Sequence, residues 1–251
     1  MHFPLRDAFV SVVIPCLNEQ EPIGCVVREV LAQGVDEVVV VDNGSTDRTA
    51  EEAAAAGARV VREPRRGYGR ACAAGLAALD ARSEIVCFLD GDGSDVPAFM
   101  REVTGPLAAD RADFVIGSRV RGKREPGSLA PQQIVAGRLA GLLLRMTYGV
   151  RFTDMSPFRA MRVEQLRALG MREQTYGWNL EMQMRAAAAR LRIVEVAVDH
   201  RCRRGGVSKV SGNPVAGLRA AGRIAATFLR LAVALRGRPA RPLHRLRREG
   251  A

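Results

Sequence analysis

The sequence predicts an α/β fold, a mostly parallel central sheet flanked by helices, with a basic amphipathic helix near the C-terminal end. Three observations carry this. Short β-branched runs alternate with Ala-rich helical stretches between residues 10 and 117, the rhythm of βαβ units. Three of those runs end in polar, acidic segments, at the edge where open α/β sheets bind ligands. The positive excess of the chain is confined to its last fifth.

Val10–Ile14 reads as a buried strand and Glu21–Gln33 as the helix that follows. A second strand, Glu37–Val41, ends at Asp42; Thr46–Ala56 is a helix, Ala58–Val61 a strand, and Gly69–Leu79 a helix with Gly75 inside it. Glu84–Leu89 is a fourth strand running into Asp90-Gly91-Asp92, and a helix from Pro97 leads to a fifth, Asp113–Gly117. Arg119–Leu129 is a Gly, Pro and charge-rich loop, expected to be too polar to pack. A helix over Pro131–Tyr148, one over Asn179–Leu191 and a strand over Ile193–Val198 follow. The stretch Ala216–Leu235 places Ile224, Phe228, Leu231 and Leu235 at helical steps, interleaved with Arg219, Arg223 and Arg230. Such a helix packs back on its own domain, or it meets a partner groove or a membrane surface. The chain therefore divides into an α/β domain over 1–212, the basic helix over 213–236, and a basic tail over 237–251 expected to be disordered.

The chain has 251 residues, of which 47% are apolar and 26% charged, enough for a real core and against a disordered class. Five scattered cysteines, with no CxxC pair, suggest a reduced compartment without a disulfide framework or zinc site. The N-terminus lacks the basic-then-apolar order of a signal peptide, and no apolar run is long enough to span a bilayer, so a cytosolic location is expected. The net charge is +11, and residues 199–251 carry all of it, with thirteen Lys and Arg against two acids. That field suits a polyanion: phosphorylated ligand, anionic membrane face or nucleic acid.

Chemistry concentrates at three strand ends: Pro15-Cys16-Leu17-Asn18-Glu19, Asp42 to Asp47, and Asp90-Gly91-Asp92. Carboxylates stacked along one edge repel unless they meet cations or donors. A nucleotide supplies base N–H and ribose O–H groups, and a divalent ion supplies the rest. Asp90 and Asp92, one residue apart after a buried strand, suit Mg²⁺ or Mn²⁺ bridging a diphosphate; the alternative is plain Asp-Gly turn chemistry. Asp47 is equally suited to a helix start behind a Ser45 or Thr46 cap. No GxxxxGK[ST] or GxGxxG loop is present, so phosphate has to be held by metal and side chains.

VSVVIPCLNE, VVVVDNGSTDRT, GYGRACAAG and FLDGDGSD, in this order, resemble family 2 glycosyltransferases of the GT-A (Rossmann-like) fold. Gly117-Ser118-Arg119, Gly137-Arg138, TDMSPFRAMR, TYGWNLEMQMRA and RRGGVSK look like the dolichyl-phosphate mannose and glucose synthases and their bacterial relatives. The resemblance implies a metal-dependent inverting hexosyltransferase using a UDP- or GDP-sugar, with a polyprenyl phosphate as acceptor at the inner membrane face. It places Pro15, Leu17, Glu19, Asp42, Asp47, Arg70, Asp90 and Gly91 around the nucleotide sugar, with metal on Asp92 and Asp90. Arg119, Arg138 and Ser208 fall near the acceptor phosphate, and Arg203 and Lys209 are the cations of an R-x5-K pattern. Ser94 stands where these synthases often carry Gln, and Asn43 replaces the second acid of their Asp-Asp pair.

Glu181 falls where many relatives place a base, needed when the acceptor is a hydroxyl but not when it is an ionised phosphate. Transfer to a soluble hydroxyl with Glu181 as base is therefore the alternative reading. Trp178 stacks on substrate or packs in the core; His200 reads as structural; Asp154 is expected to brace Arg159 or Arg162. A non-catalytic nucleic-acid binder would explain the basic end, but aromatics for base stacking are scarce at 5%, and no nucleic-acid partner is expected. Donor base, sugar and oligomeric state are open.

Overall fold

The computed structural model of the protein describes residues 8–205 and 214–236. A seven-stranded sheet has the order β3-β2-β1-β4-β6-β5-β7. Its strands are β1 (Val10–Cys16), β2 (Glu37–Asp42), β3 (Arg59–Arg62), β4 (Ile85–Phe88), β5 (Phe114–Ser118), β6 (Arg159–Arg162) and β7 (Ile193–Ala197). All strands run in one direction except β6, which pairs antiparallel with both β4 and β5. The helices are α1 (Ile23–Leu31), α2 (Thr49–Ala55), α3 (Tyr68–Ala77), α4 (Met100–Ala108), α5 (Pro131–Tyr148), α6 (Val163–Leu169), α7 (Trp178–Ala188) and α8 (Pro214–Arg236), with a 3₁₀ turn at Pro97–Phe99.

The two-residue period of the strands sorts the core into two layers. Val12, Ile14, Val38 and Val40 pack with Ile23, Val26 and Val30 of α1 and Met100, Val103 and Leu107 of α4. Val13, Val39, Val41 and Phe88 face the other side, against α3, α5, α7 and α8. Gly75 is what lets α3 lie close on β1, since a Cβ there would meet Val13 Cγ1 at 2.4 Å.

Two elements lie where the sequence shows no period: β6 and α6, inside and just after the TDMSPFRAMR segment. The loop over residues 119–129 was expected not to pack, yet its backbone pairs with the segment after β7. Glu125 donates its N–H to His200 O (3.0 Å), and His200 donates to Lys123 O (2.9 Å). Side chains join in: Arg121 donates Nη1 to Glu195 O at 2.8 Å and Glu125 accepts the Cys202 N–H at 2.7 Å. The C-terminal helix packs back on α7, burying Phe228, Leu231 and Ala232 in the second core layer. Among the described residues no helix is long and apolar enough to cross a membrane.

Candidate active site

Because β6 runs backwards, the exits of β1, β2, β4, β5 and β7 and the entry of β6 share one edge of the sheet. A cleft of about 880 Å³ opens there. Pro15, Leu17 and Glu19 line it from β1, Asp90, Gly91 and Asp92 from β4, Arg119 from β5, and His200, Cys202 and Arg203 from beyond β7. The edge thus brings together most of the side chains that the sequence singles out.

The β1 and β2 exits are tied to each other. Asn18, in the left-handed region at φ 54°, accepts the Thr46 N–H, and its own N–H donates to Ser45 Oγ. Glu19 N–H donates to Thr49 Oγ1 at 2.8 Å, and Gln20 N–H to Asp47. Two carboxylates expected near the nucleotide are part of this turn. Asp42 accepts the Ser45 N–H at 2.9 Å and Asp47 the Thr49 N–H at 3.0 Å; both organise the turn and neither lines the cleft. Asn43 lines it instead. Its amide donates to Glu63 O and Arg65 O while its oxygen accepts the Gly67 N–H, an arrangement a carboxylate could not make. Asn43 thereby fixes the segment that presents Arg66 and Tyr68 to the cleft.

Asp92 accepts the Ser94 N–H at 2.8 Å and the Arg203 guanidinium at 2.5 Å. Burial opposes its charge, but these two partners outweigh burial and hold its pKa low. Asp90 has the opposite fate: burial, then the charges of Asp92 and Asp95, raise its pKa well above the ordinary carboxylate range. Asp95 is pushed up to about 6, again chiefly by burial. Gly91 is required between them, since a Cβ there would meet Cys16 Sγ at 2.4 Å.

An acid cluster that must take up protons to relieve its repulsion is one that a cation would relieve. Two buried atoms beside it, Asp95 Oδ1 and His200 Nδ1, have no hydrogen-bond partner among the described residues and lie 3.8 Å apart. His200 is held neutral, its pKa pushed down to about 4 by burial and then by Arg119, so its ring nitrogen keeps a lone pair. His200 therefore belongs to the site, which the sequence did not signal. Among the described residues no three His, Cys, Asp or Glu side chains form a ready-made metal cage. Asp90 and Asp92 are the carboxylates that would hold Mg²⁺ or Mn²⁺, ions that take one or two carboxylates with substrate phosphates and water.

Arg119 forms a fork with Asp154, through Nε at 2.9 Å and Nη2 at 2.8 Å, and adds its own N–H at 2.9 Å. Asp154 was expected to brace Arg159 or Arg162. Arg159, fully buried, instead donates to the carbonyls of Ser156 and Asn179, and Arg162 reaches Leu107 O and Asp110.

Glu181 lies outside the cleft. It is 1% exposed, accepts the N–H groups of Arg172 and Glu173, and pairs with Arg185 Nε at 2.8 Å. A carboxylate committed to three donors acts as a brace in this structure. Trp178 is buried in the core. Arg70 starts α3 with its N–H on Gln174 O, and Arg138 is exposed on α5; neither lines the cleft. Ser208 and Lys209 lie outside the described residues.

The sequence profile described as Glycosyl transferase family 2 matches residues 11–170. The chain belongs to glycosyltransferase family 2. An uncharacterized glycosyltransferase of Mycobacterium tuberculosis is 40% identical over 210 residues, covering 81% of this chain and 90% of the relative. Among solved structures, this glycosyltransferase resembles the glucosyl-3-phosphoglycerate synthase of M. tuberculosis in complex with Mn²⁺, UDP-glucose and phosphoglyceric acid. The TM-score is 0.69 at 26% identity, over 91% of this chain and 81% of the synthase. The dodecaprenyl-phosphate galacturonate synthase of Rhizobium johnstonii is 28% identical, over 82% of this chain and 63% of its own length. The GT-A fold expected from the motifs is the fold observed.

Proposed function

We propose that this glycosyltransferase moves a hexosyl group from a UDP-sugar to a hydroxyl of a small, soluble, phosphate-bearing acceptor, with Mg²⁺ or Mn²⁺ held by Asp90 and Asp92. The observation that carries this is the shared cleft, in which the acidic β4 exit faces a cationic wall of Arg119 and Arg203. The solved neighbour that holds Mn²⁺, UDP-glucose and phosphoglyceric acid supports a soluble acceptor over the polyprenyl phosphate expected first.

Glu19 and Pro15 border the nucleoside end of the cleft, and Asp90 and Asp92 the diphosphate. A cation held by Asp90 and Asp92 would supply counter-charge for the departing diphosphate. Arg203 adds to this from the chain itself. Nη2 rests on Asp92, while Nη1 is buried without a partner among the described residues, a donor ready for a phosphate oxygen. The acceptor oxygen attacks the anomeric carbon in one displacement with inversion. Since Glu181 is outside the cleft, the acceptor's proton passes to a cleft carboxylate or to the acceptor's own phosphate.

The test is a panel of UDP- and GDP-sugars with Mn²⁺, assayed for transfer to phosphorylated sugars and hydroxy acids. Asp92→Ala should abolish transfer while leaving the far-ultraviolet spectrum unchanged. Near-normal transfer in EDTA would overturn the metal assignment.

A second reading, transfer to a polyprenyl phosphate at an anionic membrane face, has its own observation. Val135, Leu139, Leu142 and Met146 are 52–76% exposed along one face of α5, which they share with exposed Arg138 and Arg145. That face begins beside Gln133, which lines the cleft. An apolar stripe with interleaved cations suits a lipid surface. Transfer to a short polyprenyl phosphate but to no soluble acceptor, with binding to phosphatidylglycerol vesicles lost in Leu139→Glu, would establish it.

A further inference from the structure

The segment 200–204 crosses the mouth of the β4 exit as a strap. It pairs with that exit through main chain: Arg201 N–H donates to Ser94 O and Arg204 N–H to Asp92 O, each at 3.0 Å. Its side chains divide between two sides. His200, Cys202 and Arg203 line the cleft, whereas Arg201 and Arg204 turn away from it toward α1. There both guanidiniums close on one carboxylate. Glu29 Oε2 takes Arg201 Nη2 and Oε1 takes Arg204 Nη1, each at 2.5 Å. Arg201 also donates Nε to Gly93 O at 2.7 Å, so its fork joins α1 to the Asp90-Gly91-Asp92 turn.

We infer that Glu29 is a positioning residue for the donor diphosphate: by holding Arg201 and Arg204 it leaves Arg203 as the strap's guanidinium aimed at Asp92 and the phosphates. The physical need is plain. Three guanidiniums within four residues repel one another, and each would be drawn to the same acidic turn. One carboxylate on the outer side neutralises two of them and fixes the strap's twist, so that the third is presented with its planar fork in a set orientation. Glu29 does not line the cleft, so its effect passes through Arg203. No sequence period marks it, since it sits on a helix 172 residues from Arg201.

This inference rests on the transferase reading in one respect, that Arg203 meets a nucleoside diphosphate, and the experiment separates the two. Titration calorimetry of UDP and of GDP with Mn²⁺ is done on the full chain, on Glu29→Gln, Glu29→Asp and Arg203→Ala, and on the Glu29→Gln/Arg203→Ala double variant. Expected is a rise in the UDP dissociation constant of about tenfold in Glu29→Gln, an order of magnitude typical for loss of one charge-assisted contact, with most of the affinity restored in Glu29→Asp. In the Arg203→Ala background Glu29→Gln should add less than twofold, because the group it aims is gone. In transfer assays the loss should appear in kcat as well as in the donor KM, since Arg203 also meets the charge developing on the leaving diphosphate. A melting temperature lowered by Glu29→Gln with UDP affinity unchanged, or affinity losses that multiply in the double variant, would overturn the inference and leave the transferase reading standing. A wild-type chain that binds neither nucleotide with Mn²⁺ would overturn both.

Discussion

Asp154→Asn isolates the most deeply buried charge pair at the site. Asp154 is 4% exposed, and its carboxylate accepts four N–H groups: the Arg119 main chain, Nε and Nη2, and the Met155 main chain at 2.7 Å. The Arg119 side chain is only 12% exposed. Asparagine keeps the shape but leaves the guanidinium without a counter-charge, and breaking a buried pair in this way costs about 3–5 kcal/mol. For a domain of this size that is a fall in melting temperature of roughly 6–20 °C. Urea unfolding can be followed by fluorescence of Trp178, the sole tryptophan, which is buried in the core. Replacing the pair by Arg119→Met with Asp154→Leu should recover part of that loss, since apolar groups of similar volume often replace a buried pair at no cost. It should not recover all of it, because the main-chain N–H groups of Arg119 and Met155 lose their acceptor. The double variant should nonetheless be inactive, because Arg119 also faces the cleft. A loss below about 1 kcal/mol in Asp154→Asn, or a double variant as unstable as the single one, would refute the assignment of Arg119 as a charge fixed by Asp154.

Glu181→Gln should lower the urea midpoint, since Arg185 loses its partner, while kcat per folded molecule stays within about threefold; a loss of several orders in kcat would restore Glu181 as a base. The pH behaviour of Asp95 and His200 should cancel in the metal-free wild type. Between pH 4 and 6 the fold holds a proton on Asp95, raised to about 6, and lacks one on His200, lowered to about 4. Stability from the raised acid is lost as pH rises, and stability from the lowered imidazole is lost as pH falls. Asp95→Asn removes the first, so its urea midpoint should fall as pH drops from about 6.5 to 4, and a flat midpoint would sink the pairing. Gly91→Ala, whose Cβ would sit 2.4 Å from Cys16 Sγ, should destabilise by about 1–3 kcal/mol and weaken UDP binding with Mn²⁺. Adding Cys16→Ala should recover much of both, and no recovery would show that the contact is not the cause.

The first half of the chain was legible because each of its strands is an apolar run ended by a polar turn. Asp90 and Asp92 could be placed because the run before them left their exit no other position. β6 was not legible: its four residues are Arg-Ala-Met-Arg, and the first arginine is fully buried with carbonyl partners, which no hydropathy pattern reveals. The hydrogen bonds of Asp42 and Asp47 within their turn were not legible, because turn chemistry and nucleotide chemistry use the same residue types. The three donors around Glu181 were hidden for a related reason, since two of them are main-chain N–H groups of a preceding loop. The partners of Arg119 and Arg201 lie 35 and 172 residues off, beyond any local signal.

The reversed sixth strand splits the molecule into two workshops with separate supply lines. Everything that touches the donor's pyrophosphate from β1 and β4 is encoded within an unbroken stretch ending near Asp95, whereas the wall opposite is assembled from later sequence delivered by β5, β6 and β7. The halves meet along the ladder from Ile85↔Arg162 to Phe88↔Arg159 and again where the 200–204 strap pairs with Asp92 and Ser94. A lineage can therefore rewrite the receiving side by insertion or exchange after residue 118 so long as the 200–204 strap that returns Arg203 to Asp92 is kept. The donor side and the receiving side can in this way change at different rates.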